Sequence, residues 1–293
     1  MIFKKRNLAP VKDYLELAKP RVTLLVVLTV IAGYYLGAKG SLDLIILLHA
    51  AIGTMLVAGG TSALNQLIEI EIDAKMKRTM RRPLPAGRMA PSHALIFGTI
   101  ISFFGIIHLT WFVNALTGLL ATLTLVTYVF FYTPLKRKSS LSTLVGAVPG
   151  ALPPVGGWAA ARGEVGLEAW VLFAILFLWQ IPHFLAIAWL YREDYARGGL
   201  QVLPVTDSKG FSTSRHIIAN TAALLTVSLL PTFVGLAGMT YFIGAIMLGA
   251  LFLLAGIRVA VLRSNKSAKN LLLASVFYLP ILFFLMSFDK VLF

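Results

Sequence analysis

The chain has 293 residues, of which 58% are hydrophobic and only 13% charged, with no cysteine and a formal charge of +14. Repeated apolar runs of 18 or more residues exclude an ordinary soluble domain, and the lack of alternating ten-residue segments argues against a membrane barrel. Without cysteine there is no disulfide, thiolate metal site or thiol nucleophile.

The first 21 residues carry Lys4, Lys5, Arg6, Lys12, Lys19 and Arg21, with no small-residue cleavage site after a short apolar core. They read as a retained cytoplasmic tail rather than a signal peptide. Helices are expected near 22–38, 43–64, 93–113, 115–132, 141–160, 167–191, 216–237, 240–262 and 270–288, an all-α polytopic membrane protein in one domain over 1–293. Twenty-three of the 26 lysines and arginines then fall on one side, in the tail and after the second, fourth, sixth and eighth helices. Lys39, Arg162 and Lys290 are left on the other. The positive-inside rule puts the N-terminus in the cytoplasm and the C-terminus outside a cell (inner) membrane. The basic charge is therefore a topology signal and not a nucleic-acid footprint. In the fifth helix, GAVPGALPPVGGW (Gly146–Trp158) is expected to interrupt the apolar run, as a kinked packing helix or as a cavity wall.

The densest chemistry follows the second helix, in NQLIEIEIDAKMKRTMRRPLPAGR (Asn65–Arg88). Asn65, Glu69 and Asp73 recur every four residues, and each step turns only about 40° on a helix. Glu71 falls on the opposite face. Two carboxylates and an amide oxygen on one face suit a hard divalent cation, which is commonly completed by water and substrate phosphates. Pro83 and Pro85 end the helix, and the arginines before and after them suit phosphate oxygens. Acids for a metal beside bases for an anion imply a metal–polyphosphate ligand. The competing reading is a solvated loop with lipid-facing arginines, and for any single base that reading is the stronger.

Asn65-x-x-x-Glu69-x-x-x-Asp73 resembles the first acidic motif of the intramembrane aromatic prenyltransferase superfamily. The longer string, together with YTPLKRKS (Tyr132–Ser139), GAVPGALPPVGGW and WQIPHFLAIAWLYREDYARGGLQVLPV (Trp179–Val205), is similar to that superfamily's heme O-forming branch. The resemblance runs from about Lys19 to the last helix. It implies a nine-helix prenyltransferase-type bundle with a central cavity open to the cytoplasmic side. It also implies transfer of farnesyl from farnesyl diphosphate to a vinyl group of protoheme IX (heme B), with addition of water. Mg²⁺, or Mn²⁺ in its place, would be held by Asn65, Glu69, Asp73 and Asp194. Arg78, Arg82, Tyr132, Lys136 and Arg137 would lie at the diphosphate. Beyond these substrates and the lipid bilayer, heme A synthase or a terminal oxidase is a candidate partner. One departure stands out. The superfamily's second motif commonly has two aspartates four apart, whereas Asp194 has Leu190 before it and Gly198 after it at that spacing.

His183 and Asp194 are eleven residues apart, so on a continuous helix they share a face about 16 Å apart. His183 is then either a packing histidine with a polar partner or a group that contacts heme. His49, His93, His108 and His216 read as packing residues. Two other functions remain open on the residues alone. One is a prenyltransferase for another acceptor, such as a quinone precursor. The other is a transporter, which would place its charged site at mid-membrane rather than at the rim.

Overall fold

The computed structural model describes residues 9–291, so Lys4, Lys5 and Arg6 of the tail lie outside the described residues. A short helix, α1 (Val11–Ala18), lies ahead of the bundle and exposes Val11 and Leu15. It turns into α2 (Pro20–Gly37) through Lys19, which holds a left-handed φ of +47°. Pro20 suits the first turn of α2, because its missing N–H would have no partner there.

Then come α3 (Leu44–Ile68) and its near-continuation α4 (Ile70–Lys75), α5 (Pro91–Phe112) and α6 (Ala115–Val126). Helix α6 widens into a π-helical stretch over Thr127–Tyr132 and ends in α7 (Thr133–Leu135). The second half contains α8 (Ser142–Arg162), α9 (Leu167–Leu190), α10 (Arg192–Arg197) and α11 (Leu203–Thr206). It closes with α12 (Phe211–Val227), α13 (Leu230–Phe233), α14 (Met239–Leu262) and α15 (Asn265–Phe288). Polar caps set several starts. Asp43 accepts from the N–H groups of Ile45 and Ile46 at 2.9 and 3.0 Å, and Ser264 and Ser267 form a reciprocal capping box on α15.

Among the described residues nine helices are long and apolar enough to cross a membrane, in the positions expected. The chain is a multi-pass membrane protein. Phe103, Trp111, Phe130 and Phe284 point outward on its flanks, where a lipid-facing surface accounts for them. The core gathers on α8 and α9, where Trp158, Leu172, Ile175 and Leu185 meet Tyr241 of α14 and Leu282 of α15.

One expectation is overturned. The Gly/Pro-rich run does not interrupt its helix, because α8 is continuous with Pro149, Pro153 and Pro154 inside it. Its small residues serve close packing. A Cβ on Gly157 would meet Tyr34 N at 2.8 Å, and one on Gly33 would meet Pro154 Cα at the same distance. Small residues let backbones approach where no hydrophobic force separates helix from lipid. The other face of α8, with Pro149, Gly150, Pro153 and Gly156, lines an apolar cavity, so the run both packs and forms a wall.

Candidate active site

A cavity of about 340 Å³ lies at the basic end of the bundle and collects side chains from α2 to α10. The i, i+4, i+8 set lies along one wall. Helix α3 ends at Ile68, but Glu69 N–H still donates to Asn65 O at 3.1 Å and Asp73 N–H to Glu69 O at 2.8 Å. The helical repeat therefore survives the break, and Asn65, Glu69 and Asp73 all line the cavity.

Each is fixed by a residue distant in sequence. The Thr133 hydroxyl donates to Tyr128 O at 2.8 Å, so it can only accept from Asn65 Nδ2, at 3.1 Å. That orients the amide with Oδ1 toward Lys19, whose Nζ lies 3.4 Å away. Lys136 donates to Glu69 Oε1 at 2.8 Å, and its ammonium sits 4.3 Å from the Tyr132 ring centre. Arg82 donates to Asp73 Oδ2 at 2.6 Å. Asp73 Oδ1 is buried and has no hydrogen-bond partner among the described residues. Burial pushes the Asp73 carboxyl above its ordinary range, and Arg82 partly offsets this. Desolvation lowers Lys19 to about 8, and the positive Arg82 and Lys136 act the same way against a smaller opposing pull from Glu69 and Asp73. Burial also works against the Lys136 charge, but Tyr132 and Glu69 beside it hold the ammonium above its usual range.

Arg78 lines the same cavity, donates to the Tyr195 hydroxyl at 3.3 Å and lies over the Tyr191 ring. Lys19 is delivered by a clasp on the surface. Arg88 grips Asp13 and Glu16 of α1, which fixes that helix and the strained residue just beyond it.

Three sequence candidates stand elsewhere. Arg137 is exposed and outside the cavity lining, in the turn that follows α7. Asp194 is not brought to the acid set. The helix kinks at Tyr191 with its repeat kept, Tyr191 N–H donating to Ile187 O and Tyr195 N–H to Tyr191 O at 3.0 Å. The Asp194 carboxylate accepts from the N–H groups of Lys77 and Arg78 at 2.8 and 3.2 Å and from Arg197. Burial raises its pKa, but these donors outweigh it and hold the carboxyl below the ordinary range. His183 faces α15, where Nδ1 meets Ser275 Oγ at 2.7 Å, and its ring stacks on Trp179. Its neighbours Phe184, Ile187 and Ala188 line the cavity. Sequence reasoning missed Lys19, Tyr128 and Tyr195 as lining residues. The Lys19-Pro20 step at the start of the first span was the available signal for Lys19.

Below the polar cavity, an apolar slot of about 150 Å³ shares Val22, Ser62 and Tyr128 with it and is lined further down by Thr124, Leu120 and Thr117 of α6. Tyr128 to Thr117 is about 16 Å of helix rise. A charged rim over a long apolar slot, within a bundle that has nine membrane-crossing helices among the described residues, is the arrangement of a membrane prenyltransferase.

The chain belongs to the UbiA prenyltransferase family, whose model matches residues 26–287. Among its relatives are the protoheme IX farnesyltransferases of Solibacter usitatus, 49% identical over 288 residues, and of Koribacter versatilis, 46% identical over 289. These alignments cover 95% of this chain and 99% and 93% of the relatives. In fold, the chain is similar to a digeranylgeranylglyceryl phosphate synthase, with a TM-score of 0.79 at 18% identity over 95% of this chain and 98% of that one. It is also similar to an Archaeoglobus fulgidus UbiA homologue bound to GPP and Mg²⁺, with a TM-score of 0.65 at 14% identity over 94% and 99%.

Proposed function

We propose that this protein transfers the farnesyl group of farnesyl diphosphate to a vinyl group of protoheme IX, with addition of water, giving heme O and diphosphate. The observation that carries the reading is the joining of the ion-paired cavity to the apolar slot, in a chain nearly half identical to protoheme IX farnesyltransferases along almost its whole length. Diphosphate belongs with Lys19, Arg78, Arg82 and Lys136, and the farnesyl chain with the slot. The basic end faces the cytoplasm of a cell membrane, with the N-terminus inside and the C-terminus outside.

The residues present fit a divalent cation. Asn65 Oδ1 is turned to the cavity, Glu69 and Asp73 share its wall, and Asp73 Oδ1 is a buried acceptor with no donor among the described residues. Among the described residues no three His, Asp or Glu side chains gather at one point. Asn65, Glu69 and Asp73 would therefore hold Mg²⁺ or Mn²⁺ together with diphosphate oxygens and water, and Asp194 serves the 77–78 loop instead. When bound, the cation supplies charge neutralisation of the leaving diphosphate.

The protein's own groups do the rest. The two acids are already paired with Lys136 and Arg82, so an incoming phosphate offers those cations a new anion and releases the carboxylates. The C1–O bond of farnesyl diphosphate breaks with its electron pair going to diphosphate, whose charge Lys19, Arg82 and Lys136 hold. C1 bonds to the terminal vinyl carbon, and water adds to the adjacent carbon and loses a proton. The Tyr128 ring stands at the junction of cavity and slot, with the Tyr132 ring 4.9 Å from it on the cavity side, where cationic character develops, and the apolar walls below keep water from C1.

His183 is assigned to the acceptor. Ser275 donates its hydrogen to Leu272 O at 2.6 Å, so His183 must donate from Nδ1. Nε2 then carries a lone pair, the tautomer of an iron ligand held by a hydrogen bond on its other nitrogen. The test of the reaction is incubation of membranes holding the protein with heme B, farnesyl diphosphate and Mg²⁺, followed by the mass of the porphyrin. A gain of one farnesyl group plus water is expected. Metal-dependent prenylation of a quinone precursor with heme untouched would overturn the reading.

A further inference from the structure

A second basin, about 560 Å³, opens beside the cavity at the same end of the bundle. Lys77, Arg78, Arg192 and Arg197 line it, against Glu193 and Asp194. Asp194 is consumed by two backbone N–H groups and Arg197, so the basin carries an excess of cationic donors. At its wall the Trp189 side chain is 4% exposed, and its indole N–H has no acceptor among the described residues. Arg192 lies over that indole, 5.4 Å from the ring centre. A buried donor without an acceptor, under one guanidinium group in a basin lined by other basic side chains, is a site prepared for a carboxylate or phosphate oxygen.

Two placements narrow the ligand. Arg78 lines both the basin and the diphosphate cavity, so an occupant of one is adjacent to an occupant of the other. Leu190 also lines the basin, seven residues after His183 on the same face of α9 and about 10 Å nearer the rim. The seam between α9 and α15 continues this line, since Asn265 lines the basin and Ser275 holds His183 deeper in the bundle. A flat molecule along the seam would put acidic groups in the basin and its centre near His183.

We propose that this basin takes the carboxylates of the acceptor, a planar, amphiphilic aromatic dicarboxylate, through Lys77, Arg192, Arg197 and the Trp189 indole N–H. The assignment rests on the functional reading above.

It is tested on the full chain in nanodiscs of uncharged phosphatidylcholine, by titrating iron protoporphyrin IX and its dimethyl ester and following the porphyrin absorbance. The free acid should bind about tenfold more tightly than the ester, since only the acid forms charge-assisted hydrogen bonds. In Arg192→Gln and in Trp189→Phe the gap should shrink to about twofold, with farnesyl diphosphate affinity unchanged. Equal binding of acid and ester by the unmodified protein overturns the basin assignment, even if farnesylated porphyrin is still made. So does an equal loss of porphyrin and farnesyl diphosphate affinity in both variants. A protein that binds neither porphyrin and makes no farnesylated product loses the functional reading itself.

Discussion

Replacing Asp73 with asparagine removes one negative charge from the cavity wall while keeping its size. The carboxylate is 1% exposed and accepts from Arg82 at 2.6 Å, with its second oxygen unpartnered among the described residues. The loss therefore acts in two directions. Without the acid, Lys19, Arg82 and Lys136 face only Glu69, so the cavity becomes more positive and metal-free diphosphate binds as well as before or better. The reacting complex loses a carboxylate that holds the cation against the leaving group. Removing one such preorganised electrostatic contact costs about 3–4 kcal/mol, or about 10²–10³ in turnover. Breaking the pair also leaves Arg82 without its partner. Arg82 is partly solvated at 24% exposure, so the cost to folding stays below the roughly 3–5 kcal/mol of a fully buried pair. The assay combines turnover by porphyrin mass at saturating Mg²⁺ with binding of farnesyl diphosphate in chelator. Turnover within threefold of the unmodified protein, or a parallel fall in chelator binding and turnover, would refute the reasoning.

Lys19, lowered to about 8 by desolvation and then by Arg82 and Lys136, should lose its charge just above neutrality. Diphosphate affinity should then fall about tenfold between pH 7 and 9.5, and Lys19→Met should flatten that profile. Because the unfolded chain holds the extra proton between pH 8 and 10.5, this group makes the fold more stable as pH rises through that window. Asp194→Asn should lower thermal stability by about 1–3 kcal/mol, through the lost clasp on Lys77 and Arg78, and leave the metal requirement unchanged. A tenfold rise in the Mg²⁺ concentration needed would instead make Asp194 a ligand. His183→Ala should weaken heme binding with farnesyl diphosphate affinity intact, and a fall in both titrations would reduce it to a packing residue. Reporter fusions after Arg88 and after Lys269 should both read cytoplasmic, and an external signal at either would overturn the helix count.

The spans and the acid set were legible because both are local. Apolar runs announce helices by length alone, and Asn65, Glu69 and Asp73 repeat with the helix itself, so even the break after Ile68 does not separate them. Their partners were not legible in the same way. Lys136 reaches Glu69 across 67 residues and Lys19 reaches Asn65 across 46, and nothing in either segment encodes the other. Lys19 counted only as one more topology charge. Asp194 shows the same limit. The helical repeat continues through the kink at Tyr191, but spacing encodes no partner, and the carboxylate is held by the N–H groups of the loop after α4, 117 and 116 residues away. The prolines of α8 misled for a further reason. Their effect on a helix depends on what packs around them, and here α8 runs unbroken beside α2, which Gly33 and Gly157 let come close.

The π-helical stretch at Thr127–Tyr132 acts as a phase shift in the middle of one span. Upstream, Thr117, Leu120 and Thr124 face the apolar slot; downstream, Tyr132 and Lys136 face the charged cavity. A regular α-helix of the same length would carry Tyr132 and Lys136 about one residue further round, or about 100°, and turn Lys136 away from Glu69. The slot-facing residues before the wide turn would keep their aim. Chain binding and charge binding are thus joined through one turn, and straightening it into regular helix separates them with no change of side chain.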